Sequence, residues 1–155
     1  MERPKFIVNQ MCGRLAKWLR LIGYDAVYFS DIAGRELINI AKKESRIILT
    51  RDTELIKRSI IAKGIVKALM VNSDNLDVQL AELIKSLKLN CSQSLKRCIE
   101  CNVELKPIPK SEVKSEVPLH VYKTQNNFSV CPLCGRYYWK GTHWKHIQNK
   151  LKNIC

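Results

Sequence analysis

No stretch of the chain approaches the roughly 18 to 20 consecutive apolar residues that a bilayer-spanning helix needs, so no membrane span is expected. Nor does the start of the chain, Met-Glu-Arg-Pro-Lys followed by Phe6-Ile7-Val8, contain the apolar segment and small-residue cleavage pattern of an export signal. Both absences set the expectation of a cytoplasmic protein. Acidic residues are scarce: Asp and Glu number 14 against 27 Lys and Arg, for a net charge of +13, and none follows Glu116. An excess of this size favours a polyanionic partner, with nucleic acid first, over a merely lysine-rich surface. Internal repeats and low-complexity tracts are also missing.

At 155 residues the chain can hold one ordinary domain, or a small domain with a module too small to fold without a staple. Seven cysteines in a reducing compartment are better read as metal ligands than as disulfides, because four of them form two Cys-x-x-Cys pairs. Cys12, Cys91 and Cys155 are left over and are expected to be ordinary thiols.

Residues 5 to 88 alternate short β-branched runs with helical periods. The runs are Phe6-Ile7-Val8, Ala26-Val27-Tyr28-Phe29, Arg46-Ile47-Ile48-Leu49 and Ala68-Leu69-Met70-Val71. Between the first two, Met11, Leu15, Trp18, Leu19 and Ile22 recur at helical spacing, and Gly23 stands where a C-terminal cap belongs. Arg35 to Lys43, Thr53 to Lys63 and Leu76 to Leu87 read as three more helices. The βαβαβαβα order implies a mainly parallel sheet covered on both faces. A polar break at Cys91-Ser-Gln-Ser-Leu95 precedes a change to Cys pairs, prolines and aromatics. The domain boundary is therefore set near residue 92, dividing an α/β domain (1–91) from a small second module (92–155) with a basic C-terminal tail. Lys140 to Lys152 could be a short docked helix or a disordered arm.

Cys98, Cys101, Cys131 and Cys134 are the strongest motif. Each Cys-x-x-Cys pair forms a tight knuckle, and two knuckles supply the four thiolates of a structural Zn²⁺ site. The 29 residues between Cys101 and Cys131 are enough for the strands of a zinc ribbon, and Gly135 follows the second knuckle where a tight turn favours glycine. With four thiolates the ion has no open position, so it should shape the module rather than catalyse. Next to it, Tyr137 to His146 interleaves aromatics with cations, as surfaces that stack bases and hold phosphates do. Arg136, Lys140, His143, Trp144 and Lys145 are the RNA-binding candidates there; the plainer reading packs the aromatics into the ribbon's small core. Arg14, Lys17 and Arg20 share one face of the first helix, which is a phosphate-contacting stripe or a solvated surface.

In a parallel sheet the ligand site lies at the carboxyl ends of the strands. The polar residues there are Asn9, Asp31, Thr50-Arg51-Asp52 and Asp74, with Glu36 in the first turn of the second helix. Converging acids at such an edge hold Mg²⁺ or Mn²⁺, which activate water for phosphodiester cleavage. The plainer reading makes Asp52 and Asp74 helix caps and turn formers.

Three stretches carry a family resemblance: Phe6-Ile7-Val8 continuing through Gly13-Arg14-Leu15-Ala16-Lys17-Trp18-Leu19-Arg20 to Asp25; Ile48-Leu49-Thr50-Arg51-Asp52; and the two cysteine knuckles, the second running on through Arg136-Tyr137-Tyr138-Trp139-Lys140-Gly141-Thr142-His143-Trp144. The chain resembles the Mut-seven C-terminal ribonuclease family over nearly its whole length. The resemblance implies a PIN-like fold followed by a zinc ribbon, RNA as the ligand, and a divalent-metal endoribonuclease in active members. It also places Glu36 and Asp52 on two positions of the family's carboxylate cluster. Asp31 is a further candidate ligand at the same edge, and Arg51 a candidate RNA contact.

Two departures qualify that expectation. Asn9 stands where the family carries Asp, and an amide brings no negative charge to hold a cation. Gly34 occupies the expected second acidic position. The leading expectation is therefore an RNA-binding protein with weakened or absent catalysis, associated with structured RNA of the ribosomal or tRNA class and with ribosomal proteins. The alternative is an active Mg²⁺- or Mn²⁺-dependent endoribonuclease in RNA processing. A DNA-directed or protein-binding zinc module ranks below both, because no groove-reading helix is visible.

Overall fold

The computed structural model describes residues 2–155. The four β-branched runs become strands β1 (Lys5–Val8), β2 (Ala26–Tyr28), β3 (Arg46–Thr50) and β4 (Ala68–Met70). They form a parallel sheet in the order β2-β1-β3-β4. Because side chains alternate along a strand, the two central strands feed two cores. Phe6, Val8 and Leu49 enter one, while Ile7 and Ile48 enter the other.

Helices α1 (Gly13–Leu21) and α5 (Leu76–Leu87) cover the first face with Leu15, Leu19, Leu80, Leu83 and Ile84. Helix α2 (Gly34–Glu44) covers the second with Leu37, Ile38 and Ala41. The segment 53–63, expected as one helix, is instead two single turns, α3 (Thr53–Ile56) and α4 (Ser59–Ala62). Arg58 between them has extended backbone, with ψ at 138°. The reason lies in the apolar spacing. Leu55 and Ile60 are five residues apart, which puts them far from one face of a continuous helix, yet both pack on the same core. The break re-aims Ile60 and Ile61.

Gly23 has φ of +95°, and a Cβ there would lie 2.4 Å from the carbonyl oxygen of Gln93. The end of α1 and the segment leading to the cysteines thus touch at a point only glycine can occupy.

The second sheet is antiparallel, with β5 (Lys106–Ile108), β6 (Phe128–Val130) and β7 (Tyr137–Tyr138) in sequence order. One short helix, α6 (Leu119–Thr124), lies in the long connection before β6. Its core holds only Val113, Val121 and Phe128 as buried residues, with Trp139 packed at 6.2 Å from the Phe128 ring. A small β-rich module of this kind was the expectation for the region. The basic tail is a helix, α7 (Thr142–Lys152), and its Trp144, Ile147 and Leu151 enter the first core of the α/β sheet.

One expectation about the cysteines is corrected here. Cys91 and Cys155 are joined as a disulfide, with their Cα atoms 6.5 Å apart, rather than standing as separate thiols. They are 64 residues apart in sequence, and only the folding-back of α7 brings them together. Cys12 is a free, buried thiol, as expected. Among the described residues no helix is long and apolar enough to cross a membrane.

Candidate metal centre and sheet-edge site

The Sγ atoms of Cys98, Cys101, Cys131 and Cys134 all lie within 4.8 Å of one another. Two matching knuckles bring them there. In each, the amide of the second cysteine donates to the Sγ of the first, Cys101 to Cys98 and Cys134 to Cys131, both at 3.4 Å. In each, the next residue turns into the left-handed region, Asn102 with φ of +63° and Gly135 with φ of +79°. Its amide closes the turn on the first cysteine's carbonyl at 2.9 Å. Asparagine and glycine are the residues that tolerate this conformation best.

Four thiols this close cannot all ionise without a cation among them. Burial pushes Cys101 up to about 12, reinforced by hydrogen bonds with the other three thiols. Burial pushes Cys131 up as well, but the backbone amides of Cys134 and Leu133 outweigh it and bring the thiol down to about 7. The Tyr138 hydroxyl, 3.2 Å from Cys98 Sγ and also accepting from the Ile99 amide, is pushed up by burial and by that thiol. Soft sulfur donors in a closed set of four suit a structural metal such as zinc. Sequence reasoning had no signal for Tyr138 as part of this centre.

The first knuckle also docks the module. Asn102 accepts from the Ala26 amide at 3.0 Å and donates to Asp25 at 2.7 Å. Arg20 donates to the carbonyls of Ala26 and Ile99, each at 2.8 Å, and Lys17 pairs with Glu100 at 3.3 Å. Of the expected phosphate-contacting stripe on α1, Arg20 is thus committed to holding the knuckle against β2, Lys17 carries an exposed ion pair, and Arg14 is exposed. Arg136 pairs with the same Glu100 at 3.6 Å. Lys140, His143 and Lys145 are exposed, whereas Trp144 faces the core.

At the carboxyl edge of the parallel sheet, Asn9 and Thr50 end the two central strands. Asn9 Nδ2 donates to Thr50 Oγ1 at 2.9 Å, and its Oδ1 accepts from the Gln10 amide at 2.8 Å. Thr50 is fully buried, and its hydroxyl also accepts from the Asp52 amide at 3.0 Å. Asp52 caps α3 through the amides of Glu54 and Leu55, at 2.9 and 3.3 Å. Asp74 is ion-paired with Arg51, and Asn75 rather than Asp74 caps α5. Glu36 lies in the first turn of α2, and Asp31 is exposed in the preceding loop. Among the described residues, the four cysteines are the one group of three or more Cys, His, Asp or Glu side chains within reach of a single ion. The acids of this edge do not form such a group as they stand.

Sequence reasoning also missed Arg58. A Cβ at Gly34 would lie 3.4 Å from its Nη2, so a cation borders the start of α2 where an acid was expected. Burial pushes the Cys12 thiol up, and the charge of Arg51 acts the other way.

A parallel α/β sheet followed by an antiparallel ribbon built on a four-cysteine cluster is the architecture of a PIN-like domain with a zinc ribbon. The model of the Mut7-C RNAse domain matches residues 4–151, almost the whole chain, and the protein belongs to that family. No curated protein and no solved structure matches it.

Proposed function

We propose that this protein is an RNA-binding member of its family whose nuclease activity is weakened or lost. The two modules, residues 1–91 and 92–155, act together on structured RNA of the ribosomal or tRNA class, within a cytoplasmic ribonucleoprotein that includes ribosomal proteins. Family membership supports RNA as the ligand, and the net charge of +13 supports a polyanion in general.

The observation that carries the reading is the Asn9 side chain. It presents a donor to Thr50 and already accepts from the Gln10 amide through its oxygen, so it offers a cation no negative charge and at most one weak oxygen contact. Asp52 is occupied as a cap and Asp74 by Arg51, which leaves Asp31 and Glu36 as the acids without such duties. Zinc in the four-cysteine site serves the fold, holding the first knuckle against β2. Mg²⁺ or Mn²⁺ at the sheet edge belongs to the alternative, an active endoribonuclease using Asp31, Glu36 and Asp52. In the cytoplasm the Cys91–Cys155 bridge faces a reducing pool, so its persistence there depends on the packing of α7.

Co-sedimentation with ribosomal particles over a salt series tests the proposal. Phosphate contacts predict bound protein at low salt, with steep release as salt rises. Protein that remains free at every salt concentration contradicts it.

A further inference from the structure

The sheet edge opposite the acids, where the parallel strands begin, is hollow and basic. One cavity of about 330 Å³ is lined by Lys5, Lys42, Arg46 and Lys67 with no acid. A second, of about 530 Å³, opens between the start of the sheet and the segments flanking the first knuckle, and is lined by Arg3, Lys5, Lys96 and Arg97 with Asp25 and Glu104. Pro4 and Lys5 border both, so the two adjoin.

The acids do not neutralise this edge. Asp25 already accepts from Arg46 at 2.7 and 3.3 Å and from Asn102 at 2.7 Å. Glu104 lies 4.0 Å from Arg97 and projects largely into solvent. Among the described residues, Arg3, Lys5, Lys42, Lys67 and Lys96 have no carboxylate within ion-pairing distance. In addition, Arg3 Nε and Arg97 Nε are buried donors with no partner. Both guanidinium groups are otherwise fixed. Arg3 stacks 4.0 Å above the Tyr24 ring and donates to the Ile22 and Asn90 carbonyls, while Arg97 donates to the Asn102 carbonyl. A buried donor left unpaired is unfavourable. Arg3 and Arg97 both line the second cavity, so an anion entering it would meet two guanidinium groups whose hydrogen-bonding capacity is not filled.

We propose that this edge is a phosphate-binding cleft that grips the RNA backbone, using side chains from both modules, on the side of the sheet away from the acids. Phosphate is the fitting ligand because it offers several oxygens to fixed guanidinium donors and charge to the surrounding lysines. The inference rests on RNA being the ligand, and its test separates the two claims.

Three exposed cleft lysines are reversed together, Lys42→Glu, Lys67→Glu and Lys96→Glu, and compared with Lys85→Glu, Lys114→Glu and Lys123→Glu, an equal charge change elsewhere on the surface. Binding of a short labelled RNA by the full metal-loaded chain is measured over a salt series. The cleft variant should bind about tenfold or more weakly near 0.15 M salt, and the slope of log K against log salt should fall by roughly 2. The control should lose far less. In parallel, the ¹⁵N–¹H signals of Arg3 Nε and Arg97 Nε are followed as inorganic phosphate, and then RNA, is added; both should move them. RNA binding that is equally affected by both variants, with the Arg3 and Arg97 signals still, overturns the cleft. Signals that move with phosphate while no RNA binds keep the phosphate site and remove RNA as its source, which defeats the proposed function instead.

Discussion

The four-stranded sheet has both faces filled, Phe6, Val8 and Leu49 on one side and Ile7 and Ile48 on the other, under three full-length helices. The three-stranded sheet has Val113, Val121 and Phe128 behind it and little else buried. Apolar burial is worth about 25 cal/mol per Å², so the first sheet has the larger share of core stabilisation, whereas the second has a four-cysteine cluster beside a much smaller core. The contrast extends to the way the two are joined. The ribbon meets the larger module through polar groups, Asn102 on Asp25 and Arg20 on Ile99, through Leu95 and Ile99 packed against the first core, and through the apolar side chains that α7 returns to that core.

The largest effect should come from breaking the metal site. Cys131→Ser with Cys134→Ser, or a strong chelator, should remove on the order of 10 kcal/mol of metal-linked folding energy from the ribbon. Hydrogen exchange would then show β5, β6 and β7 unprotected while β1 to β4 stay protected, and RNA affinity should drop. Equal loss of protection in both sheets would mean that the modules fold as one unit.

The Asp25–Arg46 pair sharpens the comparison from the other side. Arg46 is 8% exposed and bonds both Asp25 and the Phe6 carbonyl. Arg46→Ala should cost about 2 to 3 kcal/mol in urea denaturation, because it removes the charged partner of a partly buried Asp25 and the donor to the Phe6 carbonyl. Burial alone would raise the Asp25 carboxyl, but hydrogen bonds from Arg46 and Asn102 outweigh it and hold it below the usual carboxylate range. A lowered folded pKa means that stability from this group is complete above the unfolded value of about 4 and is lost as pH falls through the folded one. Asp25→Asn should flatten the acid limb of the stability profile.

The bridge comes next. Closing a 64-residue loop, Cys91–Cys155 should contribute about 2 to 4 kcal/mol. Cys155→Ser should therefore lower the denaturation midpoint and abolish its sensitivity to reductant; a midpoint that responds to reductant equally in both forms would count against the bridge. The smallest effect is local. Asp52→Ala should cost about 1 kcal/mol through the lost α3 cap, with the ribbon's protection unchanged.

The sequence was most legible where chemistry is local. The short apolar runs predicted all four parallel strands, and the paired Cys-x-x-Cys motifs predicted the cluster, since knuckle geometry needs only neighbouring residues. Asp52 could be read as a cap from the Thr53 that follows it. What could not be read depends on tertiary contact. The break at Arg58 has no glycine or proline to announce it, and it follows from where Leu55 and Ile60 must pack. Arg20 looked like a surface cation, because the carbonyls that hold it lie as far as 79 residues away. Trp144 sat among cations in a segment that suggested base stacking, yet its helix turns it into the core. The basic cleft escaped for the same reason, since Arg3, Lys42, Lys67 and Arg97 converge only after the crossovers are made.

The most direct test of the account is a Mn²⁺-dependent cleavage assay on labelled RNA with this chain and its Asn9→Asp form side by side. Thr50 can rotate its hydroxyl to donate to an aspartate at position 9, so the variant should fold. RNA should be bound but left intact by the chain itself, and cleavage should be gained or raised with Asn9→Asp. Efficient cutting by the unaltered chain, abolished by Asp52→Ala, would contradict it.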